Sequence, residues 1–218
     1  MALTKYNYNS FDVTTAASKS LGFNASANGF ATIDPGAMTL IKTLTASSSS
    51  TISFVNGTSD VVLNNTYPIY LFKFINVHPA SNDVDLTFNG SADSGSNYNV
   101  TKTTSFFHTY HDEADNNTTL AYDTSPDLAQ STAFQVIHQG VGNGNDNSSA
   151  GFLYLYDPSN TTFVKNFMIE SNRLSSGGFC VRTFIGGYFN TTSAIDAIQF
   201  KMSSGDMDAG TIKLYGVS

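Results

Sequence analysis

From residue 37 onward, short apolar and aromatic runs alternate with polar positions at period two, the spacing of a β-strand with one covered face. Strands are predicted over residues 40–44 and 51–55, which flank the polar loop 47–50. In residues 70–75, Tyr70, Phe72 and Phe74 alternate with Leu71, Lys73 and Ile75. Both sets are largely apolar, which predicts a central strand covered on both sides. Val84, Leu86 and Phe88 alternate with Asp85 and Thr87, as in a strand with one wet face. Further strands are predicted over 105–110, 134–138, 152–156, 163–169, 179–185, 195–202 and 211–217. Turn clusters such as Asn89-Gly90, Asp93-Ser94-Gly95, Gly177-Gly178 and Gly205-Asp206 separate them. Eleven strands with short polar connections predict an all-β fold, an antiparallel sandwich or barrel. One or two helical turns are expected at residues 125–129, with Ser125 as N-cap, Pro126 in the first helical position and Asp127 beside the positive end of the dipole. No fixed-period repeat argues for a solenoid or propeller.

The first part of the chain reads differently. Ala, Ser, Asn and Gly surround isolated aromatics (Tyr6, Tyr8, Phe11, Phe23 and Phe30), and Asp34-Pro35-Gly36 predicts a tight turn. Residues 1–36 are therefore expected to form a short extended arm or attachment segment, and residues 37–218 the β-sandwich. Such an arm carries too few aliphatics for its own core. Ordering its backbone costs about 1–2 kcal/mol per residue, so a partner or the main domain must order it.

Composition sharpens this picture. Ser, Thr and Asn fill 73 of the 218 positions and only two residues are Glu (Glu113 and Glu170), which opposes long helices and coiled coils. The 17 Phe and 11 Tyr supply a core and exclude global disorder. The net charge is −7 and the ten basic residues are scattered, so no basic stripe exists for nucleic acid or an anionic membrane. The longest largely apolar run, residues 69–77, is about half of what a helix needs to cross a bilayer. The polar opening from Met1 to Tyr6 lacks the look of a secretory leader, and folding in a cytoplasm is expected. Ten Asn-x-Ser/Thr sequons then follow from composition rather than glycosylation. The lone cysteine, Cys180, sits in an apolar strand and is expected to be a buried, inert thiol.

Candidate chemistry is sparse. The stretch from His108 to Asp115 places two imidazoles and three carboxylates in eight residues, but on a strand His108 and His111 point to opposite faces, which opposes a metal site. The loop from Gly142 to Asn147 offers carbonyls and one carboxylate without the bidentate Glu of a calcium loop. Gly177-Gly178 and Gly186-Gly187 lack the Gly-Lys-Ser/Thr of a phosphate loop, no nucleophile elbow occurs, and a glycosidase would need Asp pairs. Tyr110, Tyr122, Tyr154, Tyr156 and Tyr188 could stack on sugars, although alternating aromatics in β proteins more often pack in cores and cross-strand pairs. The expectation is no catalytic residue, no metal site and no cofactor.

The strand Ala194-Ile195-Asp196-Ala197-Ile198-Gln199-Phe200, followed by Gly210-Thr211-Ile212-Lys213-Leu214-Tyr215-Gly216, resembles the closing hairpin of a family of tailed-phage virion proteins. The strands of residues 41–54 and 67–79 resemble its opening strands, and the loop from Asn89 to Tyr98 is similar to its Gly-x-x-Tyr loop. The likeness covers roughly residues 38–218 and is closest to structural and fibre-like proteins of marine cyanophages. It implies a jelly-roll-type sandwich displayed on a virion and carries no catalytic residues. The expected function is a non-enzymatic capsid decoration (cement) protein, assembled in the host cytoplasm and exposed on the particle. The alternative is a tail fibre or tail-surface protein that binds a host glycan. Expected partners are capsid or tail proteins of the same virion, a second copy of the chain, or a host surface glycan, without nucleic acid or membrane insertion.

Overall fold

A computed structural model describes residues 20–24, 26, 29–33 and 37–218. Among them the period-two pattern becomes fourteen strands. The chain divides into two units, Met1–Thr39 and Leu40–Ser218. In the first, β1 (Ser20–Phe23) and β2 (Phe30–Ile33) form an antiparallel hairpin closed by the Asn24 amide donating to the Gly29 carbonyl at 2.9 Å. The Phe23 and Phe30 rings stack across it at 5.3 Å. Tyr6, Tyr8, Phe11 and the predicted turn at Asp34-Pro35-Gly36 lie outside the described residues.

The remaining strands form two sheets. The larger runs in the order β3 (Met38–Thr45), β14 (Met207–Val217), β5 (Ile69–Pro79), β10 (Ser149–Tyr156), β11 (Lys165–Leu174), β12 (Phe179–Phe189), β7 (Lys102–Asp112), β8 (Thr118–Tyr122). The smaller runs β4 (Ile52–Val55), β13 (Ala197–Met202), β6 (Val84–Ser91), β9 (Gln135–Val141). The architecture is an antiparallel β-sandwich, and all eleven predicted strands are found in it with shifted ends.

The sheets are joined by aromatic rings. Phe200 on β13 has Phe54 and Phe88 of its own sheet at 6.3 Å each, and Phe72 and Phe74 of the facing β5 at 5.5 and 5.3 Å. Phe88 reaches across to Phe167 on β11 and Phe189 on β12, at 5.2 and 6.2 Å. All seven rings are essentially inaccessible to water. Most of these contacts are edge-to-face or tilted, the geometry that the ring quadrupole favours.

The motif residues resolve into packing. Ile195, Ile198, Ile212 and Leu214 all face the core. Gly210 sits at a bulge in β14 with φ +115°, and a Cβ there would stand 2.6 Å from Val77 Cα. At Gly216 a Cβ would be 2.2 Å from the Tyr67 ring, which takes the space instead. In the loop after β6, Asp93 accepts from Ser91 Oγ (2.7 Å), the Asn97 amide (2.8 Å) and Asn97 Nδ2 (2.7 Å), and these bonds hold its carboxyl down at about 2. Buried cations are tied down likewise: Lys102 Nζ donates to the Ala133 carbonyl at 2.5 Å, and burial pulls its ammonium down to about 7.

Three expectations are corrected. Residues 125–129 form no helix, because the end of β7 that β8 leaves uncovered, together with Gln135 of β9, takes their backbone groups. The Thr104 amide donates to Leu128 O (2.8 Å), the Leu128 amide to Thr104 Oγ1 (2.9 Å), and Gln135 Nε2 to Pro126 O (2.9 Å). Cys180 is exposed: the inward turn of Val181 puts its neighbour on the outer face, where Sγ donates to Asn172 Oδ1 at 3.4 Å. Strand β5 is buried on its Tyr70-Phe72-Phe74 side only; on the other, Leu71 is covered but Ile75 is 40% exposed.

Because Phe200 touches rings of three other strands, truncating it opens a cavity at the sheet interface. Phe200→Ala is expected to lower the unfolding free energy by about 3–5 kcal/mol, and Phe200→Leu by clearly less, as measured by chemical denaturation.

Candidate functional site

Eight strands cannot be covered by four. On the inner face of the larger sheet, β11, β12 and β7 run past β9, the edge strand of the smaller sheet. On β7 and β11 the inward residues turn polar at this end, while β12 continues with Thr183, Val181 and Phe179. On β7 the inward series is Lys102, Thr104, Phe106, His108, Tyr110; on β11 it is Phe167, Ile169, Ser171, Arg173. The register sets Arg173 opposite Val181, Val181 opposite Tyr110, and Thr183 opposite His108. With Gln139 from β9, Phe179 from β12 and Ser175 from the turn between β11 and β12, these residues line an open pocket of about 310 Å³.

One wall of the pocket is aromatic. Tyr110 stacks on the His108 ring at 5.9 Å, and its own ring meets Phe179 edge-on at 5.3 Å. His108 Nδ1 lies 3.9 Å from Asp123 Oδ2. The cationic element is Arg173, which donates through Nη1 to the Gly140 carbonyl at 2.9 Å, while its buried Nε has no hydrogen-bond partner among the described residues. Burial pulls the guanidinium's affinity for its proton down, against the charges of Asp83 and Asp85. Behind it, His138 is fully buried, and burial together with Arg173's charge pushes its imidazole down to about 3.

The other sequence-derived candidates scatter. As the spacing predicts, β7 turns His108 inward and His111 outward, where Nε2 meets Asp115 Oδ1 at 3.0 Å. Asp112 is committed to the Asn116 and Asn117 amides at 2.8 and 3.0 Å, which together with Asn117 Nδ2 hold its carboxyl low. Among the described residues, no group of three His, Cys, Asp or Glu stands close enough to hold a metal ion. The loop from Gly142 to Asn147 closes on itself, with the Gly144 amide donating to Asn147 Oδ1 at 3.2 Å, and it borders a cleft of about 460 Å³ shared with Glu113. His78 pins that loop: Nε2 bonds Gly144 O at 3.0 Å and Nδ1 bonds Asp208 Oδ1 at 2.7 Å, the arrangement of a protonated ring. Desolvation lowers the pKa of His78, but the bond and charge of Asp208 outweigh it and the net shift is upward.

The tyrosines divide. Tyr110 lines the pocket. Tyr154 and Tyr156 stand with Phe152 on the outer face of β10, at ring separations of 5.3 and 6.3 Å. Tyr122, on the edge strand β8, donates to Asp127 Oδ2 at 2.6 Å, and Tyr188 is half-buried near Gln130. The sequence reading missed Arg173 and Gln139. The signal for Arg173 was present, because Phe167-Ile169-Ser171-Arg173 keeps period two beyond residue 169, where the predicted strand stopped.

The His138 shift sets a pH dependence. Between its ordinary pKa of 6.5 and about 3, the unfolded chain binds a proton at this position that the folded chain does not, so stability falls as the pH drops through that window. His138→Gln is expected to flatten the slope of unfolding free energy against pH between pH ~6 and ~4 by about 1 kcal/mol per unit, as read from denaturant midpoints across that range.

Compared with known proteins, the chain matches no family model, no curated protein and no solved structure, so the role of the pocket rests on its own residues.

Proposed function

We propose that this chain is a non-enzymatic structural protein of a phage virion, a decoration protein on the capsid surface that presents a sandwich of jelly-roll type and attaches through residues 1–36. The observation that most supports this reading is the exposed apolar surface of the N-terminal hairpin: Leu21, Phe23 and Phe30 are 55%, 70% and 42% accessible. A two-stranded hairpin is marginal by itself, and exposed apolar side chains gain from burial against a partner. The packing role of the motif residues agrees with a fold module that serves as a scaffold: Phe200, Ile212, Leu214, Gly210 and Gly216 all build the sandwich. The weakly charged, Ser/Thr/Asn-rich composition suits a particle in high salt, where surface charges are screened over a few Å. Capsid or tail proteins of the same virion are the partners of this reading.

The decisive experiment is quantitative mass spectrometry of purified particles. Hundreds of copies per particle support the shell, a handful transfers the protein to the tail or its fibres, and absence overturns the proposal. A chain lacking residues 1–36 is expected to remain folded and soluble by circular dichroism yet fail to join the particle. Incorporation at full occupancy would move the attachment into the sandwich.

A further inference from the structure

Beyond a scaffolding role, we infer that the pocket between β7, β11, β12 and β9 binds a pyranose that carries a carboxylate, a uronic acid residue of a polysaccharide. Three features of the pocket converge on this chemistry. The first is Arg173. A guanidinium offers five N–H donors, and among the described residues this one has a single hydrogen bond, from Nη1 to Gly140 O. Among the described residues no carboxylate reaches ion-pair distance of it, while Asp83 and Asp85 act on it only through space. A largely desolvated cation with unused donors at a pocket wall is stabilised by an oxyanion from outside, and the fork of a guanidinium matches a carboxylate.

The second feature is the aromatic wall. The Tyr110 ring, backed by His108 and set by Phe179, offers a face for the C–H groups of a sugar ring. The third is the rim, where Gln139 and Ser175 supply donors and acceptors for hydroxyl groups. The volume of about 310 Å³ lies at the lower end of the range that small ligands fill. Asp123 beside His108, with Asp83 and Asp85 near Arg173, limits the anion's gain, so single-residue binding is weak, with Kd on the order of 1 mM.

The test titrates the full-length, isotope-labelled protein with glucuronate and galacturonate, with glucose and galactose as neutral controls, followed by amide and side-chain NMR shifts. It does not depend on any particle. The expected result is saturable shifts at His108, Tyr110, Gln139, Arg173 and Phe179, with the neutral sugars at least about tenfold weaker. Arg173→Lys keeps the charge but loses the fork, and Tyr110→Leu keeps an apolar side chain but loses the ring. Each is expected to weaken binding about tenfold while circular dichroism and the melting temperature stay close to those of the parent. Equal binding of neutral sugars overturns the carboxylate assignment. Saturable shifts confined to the Phe152-Tyr154-Tyr156 face, unaltered binding by both variants, or no saturable shift at all overturns the site.

Discussion

The sandwich depends on one contact set, the rings that cross between its two sheets at Phe200 and Phe88. Phe200 meets Phe72 and Phe74 of the facing strand, and Phe88 meets Phe167 and Phe189. Those four partners lie on three strands, β5, β11 and β12, in the middle of the larger sheet. No disulfide can assist, since Cys180 is the only cysteine. With no covalent staple, the relative position of the sheets rests on shape complementarity among large, stiff side chains, and close packing makes that position unique. Glycine at 210 and 216 follows from the same demand, because a side chain there would collide with Val77 or Tyr67.

The mismatch between the sheets has the opposite effect. Where the smaller sheet ends, the larger one keeps its register but polar residues join its inward face, and a pocket opens in place of a core. The transition is sharp along β7, from Phe106, fully buried, to the half-buried His108 and Tyr110 two and four residues later. Two polar groups stand at this boundary, His138 buried behind it and kept neutral, and Arg173 on the pocket wall, without an ion pair among the described residues. Each carries a desolvation cost that an aliphatic residue would avoid. That cost falls where the core gives way to the pocket.

Period-two patterning made the strands legible because the sheets are covered mainly on one face. It failed where small or polar residues did the pairing. Strand β8, Thr118–Tyr122, turns Thr119 and Ala121 toward the sheet and exposes Leu120, so its apolar side is reversed and nothing in the pattern marks it. Residues 125–129 carry good helix-start chemistry, yet the unpaired edge of β7 offered more hydrogen bonds than one helical turn could. Cys180 illustrates a different limit: its apolar neighbours are legible, but the face it occupies depends on register alone. The pocket could not be read at all, since it needs β7, β9, β11 and β12 brought together, and sequence separations of up to about 75 residues conceal that meeting.

Native-state hydrogen exchange tests most directly whether the aromatic interlock governs the fold. The amides of β5, β6 and β13 are expected to exchange only through global unfolding, at one common free energy that equals the denaturant value. The amides of the β1–β2 hairpin are expected to exchange at a much lower one. If the amides around Phe72, Phe88 and Phe200 exchange through smaller, separate openings, the sheets are not held by this contact set and the account is contradicted.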